Sequence, residues 1–254
     1  MTTTLVRAAW LAPVLCCLAL GSADSPAADG PAASITETRS VGDFSAIALG
    51  GSMDIKVSQG ATTLVQIQAS EKALALIETV VEAGRNGPTL NIRWKRGQRS
   101  TSWSGAWSSG WNNEKIKITV VTPKLLGLSA AGSGDIRLEA FNTPSLQVTL
   151  SGSGDAQLSA LNTEELGISI SGSGDVRGDG KASKLNIRIA GSGDVRLSNL
   201  RADDVSIRIA GSGDAAVNAQ KTLDVSIAGS GDVQYTGEAT VKKSVAGSGS
   251  VVKR

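Results

Sequence analysis

Histidine is absent from the 254 residues, which removes the commonest general base and the commonest metal ligand together. Aromatic residues are only 3% of the chain, so Val, Ile, Leu and Ala must fill any core. That suits a narrow stack of strands better than a sandwich with large inner side chains. Both cysteines, Cys16 and Cys17, sit in one apolar run near the start. Once that run is removed no thiol is left, so an oxidising destination adds no disulfide. Neither sign of charge dominates: the formal net charge is +2, with both signs spread along the chain. No basic patch or stripe marks a nucleic-acid binder.

What is present begins with an export signal. Arg7 is a positive n-region, and Ala8 to Leu20 is a 13-residue apolar run, too short to span a bilayer. Gly21-Ser22-Ala23 supplies small residues for cleavage. Residues 1–23 are therefore predicted as a signal peptide and 24–39 as a flexible leader. No transmembrane span is expected in the mature chain. Its expected place is the periplasm, the outer surface or the medium.

A repeat follows. Gly-Ser-Gly-Asp begins at Gly132, Gly152, Gly172, Gly191, Gly211 and Gly229, and a seventh copy at Gly247 ends in Ser250. Spacings of 20, 20, 19, 20, 18 and 18 residues signal a solenoid. Before each corner three apolar columns alternate with polar residues: Leu146, Val148, Leu150; Leu166, Ile168, Ile170; Leu185, Ile187, Ile189; Val205, Ile207, Ile209; Leu223, Val225, Ile227. After it two more columns begin at Ile136 and Leu138. Period-2 alternation marks strands with one buried face, and β-branched residues favour them. Short strands cannot bury a face alone, but stacked copies about 4.8 Å apart can. No unit carries a 3.6-residue stripe, and each is too short for a propeller blade. The fold class is all-β: a right-handed parallel β-helix over 40–254, with coils of about 20 residues and corners at 132–250.

Upstream, Val41 to Val57 reads as short strands around a degenerate corner, Gly50 to Asp54. Leu64 and Ile67, then Leu90, Ile92 and Trp94, then Ile116, Ile118 and Val120 read as further strands. Ser70 is placed to cap a short helix through Ile77. Leu126, Leu128 and Ala130 open the regular columns.

The segment Asp43-Phe44-Ser45-Ala46-Ile47, the run Gly51 to Gly60 and the Gly-Ser-Gly-Asp series together resemble the auto-transporter adhesin head GIN domain family. The resemblance spans roughly Ser40 to Val251. It implies a bacterial envelope or secreted β-helix, and it brings no catalytic residues.

Stacking puts Asp135, Asp155, Asp175, Asp194, Asp214 and Asp232 in one column. Carboxylates about 5 Å apart repel by roughly 0.8 kcal/mol per pair even in water. The structural explanation is hydrogen bonding to backbone N–H groups within the turn, with Arg137, Arg177 and Arg196 interleaved two residues on. The alternative is a calcium ladder, but each coil offers one carboxylate and calcium takes six to eight oxygens. No metal or cofactor is assigned, and no phosphate loop, since no helix follows the glycines.

A Trp/Gly/Ser-rich insert spans 97–113. Trp103, Trp107 and Trp111 are the candidate ligand contacts, because tryptophan offers large area with a polar tip; a loop or lid over the end of the stack is the plainer reading. Arg188 and Arg208 fall side by side on successive coils, as a solvated face or a grip on an acidic sugar. The function read from all this is a non-enzymatic envelope or surface protein that works by binding, with an envelope, glycan or protein ligand. A polysaccharide-binding or polysaccharide-cleaving β-helix and a self-assembling structural unit, a homo-oligomer through its last coil, are the alternatives.

Overall fold

The computed structural model describes residues 34–84, 87–95 and 116–254. The predicted signal peptide at 1–23 and the insert at 97–113, with Trp103, Trp107 and Trp111, lie outside the described residues. In chain order the N-terminal part holds β1 (Ile35–Arg39), β2 (Ala46–Gly50), β3 (Asp54–Gln59), β4 (Leu64–Ala69), α1 (Glu71–Leu76), β5 (Ile77–Gly84), β6 (Gly87–Trp94) and β7 (Lys117–Thr122). The repeats hold β8 (Gly127–Gly132), β9 (Ile136–Glu139), β10 (Asn142–Gly152), β11 (Ala156–Gly172), β12 (Val176–Gly191), β13 (Val195–Gly211), β14 (Ala215–Gly229), β15 (Val233–Thr236), β16 (Thr240–Gly247) and β17 (Val251–Lys253).

The repeats stack as a parallel β-helix in chain order. Leu166, Leu185, Val205 and Leu223 are in register on successive coils, as are Ile168, Ile187, Ile207 and Val225. The latter four are each at most 1% exposed. Burying each such side chain contributes roughly 1.5–3 kcal/mol, which is what holds coils too short to fold singly.

Within a coil the in–out alternation slips twice. Ser159 and Ala160 both point outward, as do Glu164 and Glu165. A flat strand cannot do this, so the chain bends at each place. With the Gly-Ser-Gly-Asp corner, three bends divide each coil into three faces. The first carries Ala156 and Leu158, the second Leu161 and Thr163, the third Leu166, Ile168 and Ile170. The second face was not expected from the sequence. Its inward columns mix large and small residues: Phe141, Leu161, Gly180 and Leu200 in one, Thr143, Thr163, Ala182, Ala202 and Ala219 in the other. The buried threonines hide their polarity by donating to backbone carbonyls, Thr143 Oγ1 to Leu125 at 2.8 Å and Thr163 Oγ1 to Glu165 at 3.1 Å. The unequal coil lengths are absorbed at the two bends flanking this face, where the register shifts. The third face stays in register throughout.

The N-terminal part departs from chain order. β2 and β3 pair in parallel with β8 and β9 on one side and with β6 and β7 on the other. The coil nearest the N-terminus is therefore second in the stack, and β6–β7 lies outside it. Antiparallel strands widen that end: β5 on β6, β4 on β7 and β1 on β4. The helix sits where expected, with Ser70 Oγ accepting from the Ala73 N–H at 3.3 Å. Two upstream expectations change. The last five residues of the supposed leader, 24–39, form β1, because Arg39 anchors them by donating to the carbonyls of Leu74 at 2.8 Å and Ile77 at 2.9 Å. Leu125, at the bend, is fully buried, whereas Leu126 is only partly so.

Candidate functional site

The corner shows why its four residues recur. The first glycine holds φ between +131° and +144° at all seven copies, a region closed to most side chains. The second glycine is buried, and a Cβ at Gly154, Gly174 or Gly213 would collide with the carbonyl oxygen of the matching glycine one coil back. The aspartate completes the turn, but not by bonding within it. Its Oδ1 accepts the backbone N–H of the aspartate on the next coil. Asp155 accepts from Asp175 at 2.9 Å, Asp175 from Asp194 at 3.0 Å, Asp194 from Asp214 at 3.0 Å and Asp214 from Asp232 at 2.8 Å. The expectation of bonds within the turn fails for a geometric reason. Parallel stacking sets the next coil's N–H directly over the carboxylate, while the turn's own serine N–H donates to a neighbouring coil's glycine carbonyl.

The ladder has one rung more than the sequence suggested. Asp54, in the degenerate corner, accepts from the Asp135 N–H at 3.1 Å. At the other end Ser250 donates both its N–H and its hydroxyl to Asp232 at 2.8 Å. Each charged hydrogen bond contributes about 1.5–3 kcal/mol, which exceeds the roughly 0.9 kcal/mol repulsion between neighbours in water. Arg196 bridges Asp175 at 2.8 Å and Asp194 at 2.7 Å, and Arg177 pairs with Asp175 at 3.1 Å. Partial burial disfavours the charged form of Asp175, but the Asp194 N–H and the Arg196 guanidinium outweigh it and hold the carboxyl below its ordinary range. Arg137 makes no such pair among the described residues. No three acidic, histidine or cysteine side chains converge on a metal-sized site among them either. The corner is thus a fastener between coils.

A groove that sequence reasoning missed runs along the second face and its bend, enclosing about 670 Å³. Its floor is a column of outward residues in register: Asn142, Asn162, Lys181 and Arg201. Pro144, Glu164, Ser183 and Asp203 line the bend beside it. Asn162 donates to the Asn142 side chain at 3.2 Å, and Gln59 extends the column by bonding both backbone groups of Asn142. Asp203 is already paired with Lys221 at 2.9 Å, which raises the lysine's pKa. Lys181 and Arg201 have no carboxylate partner among the described residues, so their donors face solvent. The only advance signal was the polar, uneven stretch between apolar columns.

The insert is placed by its ends. β6 and β7 stack on β2 and β3, so the chain departs at Lys95 and returns at Ile116 where every other coil has its corner. The Ile116 carbonyl accepts from the Asp54 N–H at 3.0 Å. Trp103, Trp107 and Trp111 lie in the sequence between these two ends, outside the described residues. Arg188 and Arg208 are in register on the third face, both exposed.

Solved structures share this architecture. A "putative adhesin" from Bacteroides fragilis superposes with a TM-score of 0.77 at 27% identity, covering 87% of this chain and 97% of that one. A "putative lipid binding protein" from Parabacteroides distasonis gives a TM-score of 0.66 at 25% identity, covering 87% and 96%. A "putative adhesin" from Parabacteroides merdae shares the fold at 18% identity, with a TM-score of 0.66 over 87% and 96%. No curated protein matches the chain. With residues 43–239 matched, the chain belongs to the family described as "Putative auto-transporter adhesin, head GIN domain".

Proposed function

We propose that this is an exported, non-enzymatic protein that binds a surface or envelope ligand along the outside of its β-helix, in the manner of an adhesin. The inside is filled by aliphatic columns at most a few per cent exposed, so ligand contact belongs to the lateral faces. The groove carries the reading. Four coils in a row present Asn142, Asn162, Lys181 and Arg201 at the coil spacing of about 4.8 Å, with two cationic donors free. Such a ladder suits an extended, hydroxyl-rich chain whose units repeat at a similar length, because each unit meets an equivalent donor. The family and the Bacteroides fragilis protein, both described as adhesins, agree with this role.

The test is retention of the purified protein on immobilised glycans and envelope extracts. Replacing Asn162 and Lys181 by Ala should lower retention about tenfold on the ligand that binds best, with unchanged circular dichroism. Retention unaffected by both, and by a triple Trp103, Trp107, Trp111 to Ala variant, would remove the reading. N-terminal sequencing of the exported protein should begin just after Ala23.

A further inference from the structure

Cations crowd onto two neighbouring coils. β12 and β13 carry Arg177, Lys181, Lys184, Arg188, Arg196, Arg201 and Arg208 against Asp179, Asp203 and Asp204. Arg177 and Arg196 are committed to the corner ladder. Arg188 and Arg208 are not. They stand in register on the third face, one coil apart, and neither makes an ion pair or side-chain hydrogen bond among the described residues. Two like charges about 4.8 Å apart repel by roughly 0.9 kcal/mol in water, and no salt bridge to either arginine offsets it among the described residues. Contrast Arg93, which collects Glu78 at 3.1 Å and Glu82 at 2.9 Å on the N-terminal hairpin.

The surroundings are short. In the same outward column Ser169 precedes the pair and Ser226 follows it, and Ala190 and Ala210 fill the next column. On the other side runs the column of Asn186, Ser206 and Asp224, so the two guanidinium groups rise from a floor of mostly short side chains. A planar guanidinium takes a carboxylate through two parallel N–H bonds, and two in register take two acidic groups spaced along one chain.

We propose that Arg188 and Arg208 form an anion-binding site for an acidic polysaccharide lying across the third face, separate from the groove. A hydroxyl-lined flat floor favours a glycan over a membrane. Among the described residues the exposed large hydrophobic ones, Ile35, Val245 and Val252, are on other coils, so no described apolar side chain beside the pair would insert into a bilayer. The site does not depend on the groove reading, because it lies on a different face and its partner is chosen by charge.

The experiment measures half-saturation of the purified protein on immobilised polygalacturonate, on neutral dextran and on vesicles of anionic phospholipid. The unsubstituted protein should bind polygalacturonate, weaken with salt and ignore dextran. Arg188→Ala with Arg208→Ala should bind polygalacturonate at least about tenfold more weakly. Lys at both positions, which keeps charge but loses the paired bonds, should fall in between. Lys242→Ala with Lys243→Ala, which removes two exposed cations from another coil, should change little. The proposal is overturned if the double Ala variant binds like the unsubstituted protein, if the Lys242 and Lys243 variant loses as much, or if only vesicles are bound. Gln at both positions replaces Ala should the Ala variant lose its circular dichroism.

Discussion

The corner of the regular coils recurs, with one position changed, in the β2–β3 coil at Gly51 to Asp54. In the regular coils the third residue is glycine, pressed against the backbone of the coil before it. In the outlying coil of β2 and β3 the position is Met53, fully buried. On that side β2 and β3 pair with β6 and β7, whose sequence carries no Gly-Ser-Gly-Asp, and Met53 packs into the core. Identical local sequence is thus demanded only where an identical neighbour lies alongside. The regular half obeys a rule that each coil imposes on the next. The N-terminal half, with its helix, antiparallel strands and inverted coil order, obeys whatever closes that end.

Substitutions at this one position break the comparison most sharply. Gly174→Ala drives a Cβ into the Gly154 carbonyl, which cannot move without its own ladder, and should cost more than about 4 kcal/mol. Loss of cooperative thermal unfolding is the expected readout. Met53→Gly makes the outlying corner look like the others, yet it should destabilise by about 2–5 kcal/mol because it leaves a cavity. A neutral result there would mean that the motif, rather than its neighbour, sets the requirement.

Asp175→Ala comes next. Removing the acceptor of the Asp194 N–H and the partner of two arginines should cost about 1–2 kcal/mol at neutral pH in urea unfolding. The folded carboxyl titrates below its unfolded value. Its contribution is therefore present above the unfolded value and disappears as pH falls through the lower folded one. The variant should have a flatter acid limb of stability than the parent, and Asp175→Asn, which keeps an acceptor, should recover part of the neutral-pH loss.

The smallest effect is a gain. Ala140 and Ala160 hold φ at 41° and 49°, a strained region for alanine, at the bend after the first face. Ala160→Gly should stabilise by about 0.5–1 kcal/mol, seen as a raised unfolding midpoint. At Ala160 the bend is also tied by the Asp179 side chain, which accepts its N–H at 2.9 Å where the next coil is one residue short.

Much of the fold was legible because a solenoid repeats its physics. Ile168, Ile187, Ile207 and Val225 could be aligned from spacing alone, since each coil buries the same positions against the one before. The second face escaped notice because its inward residues are Thr and Ala as often as Leu, so no apolar column announces it. The groove built on that face was hidden for the same reason. The bonding of the Asp column was misread as local, because a carboxylate beside a turn has N–H groups on two sides, and only the stack decides which are free.

Composition and period alone determined a parallel stack, its coil length and the residues that fill two of its three faces, because stacking is how a short repeat buries alternate aliphatic side chains. Tertiary structure decided the order of coils at the N-terminal end, the partner of each corner carboxylate and the pairing of one arginine but not another. Those outcomes depend on which backbone groups and charges meet across coils, and spacing along the chain does not encode that where the repeat breaks.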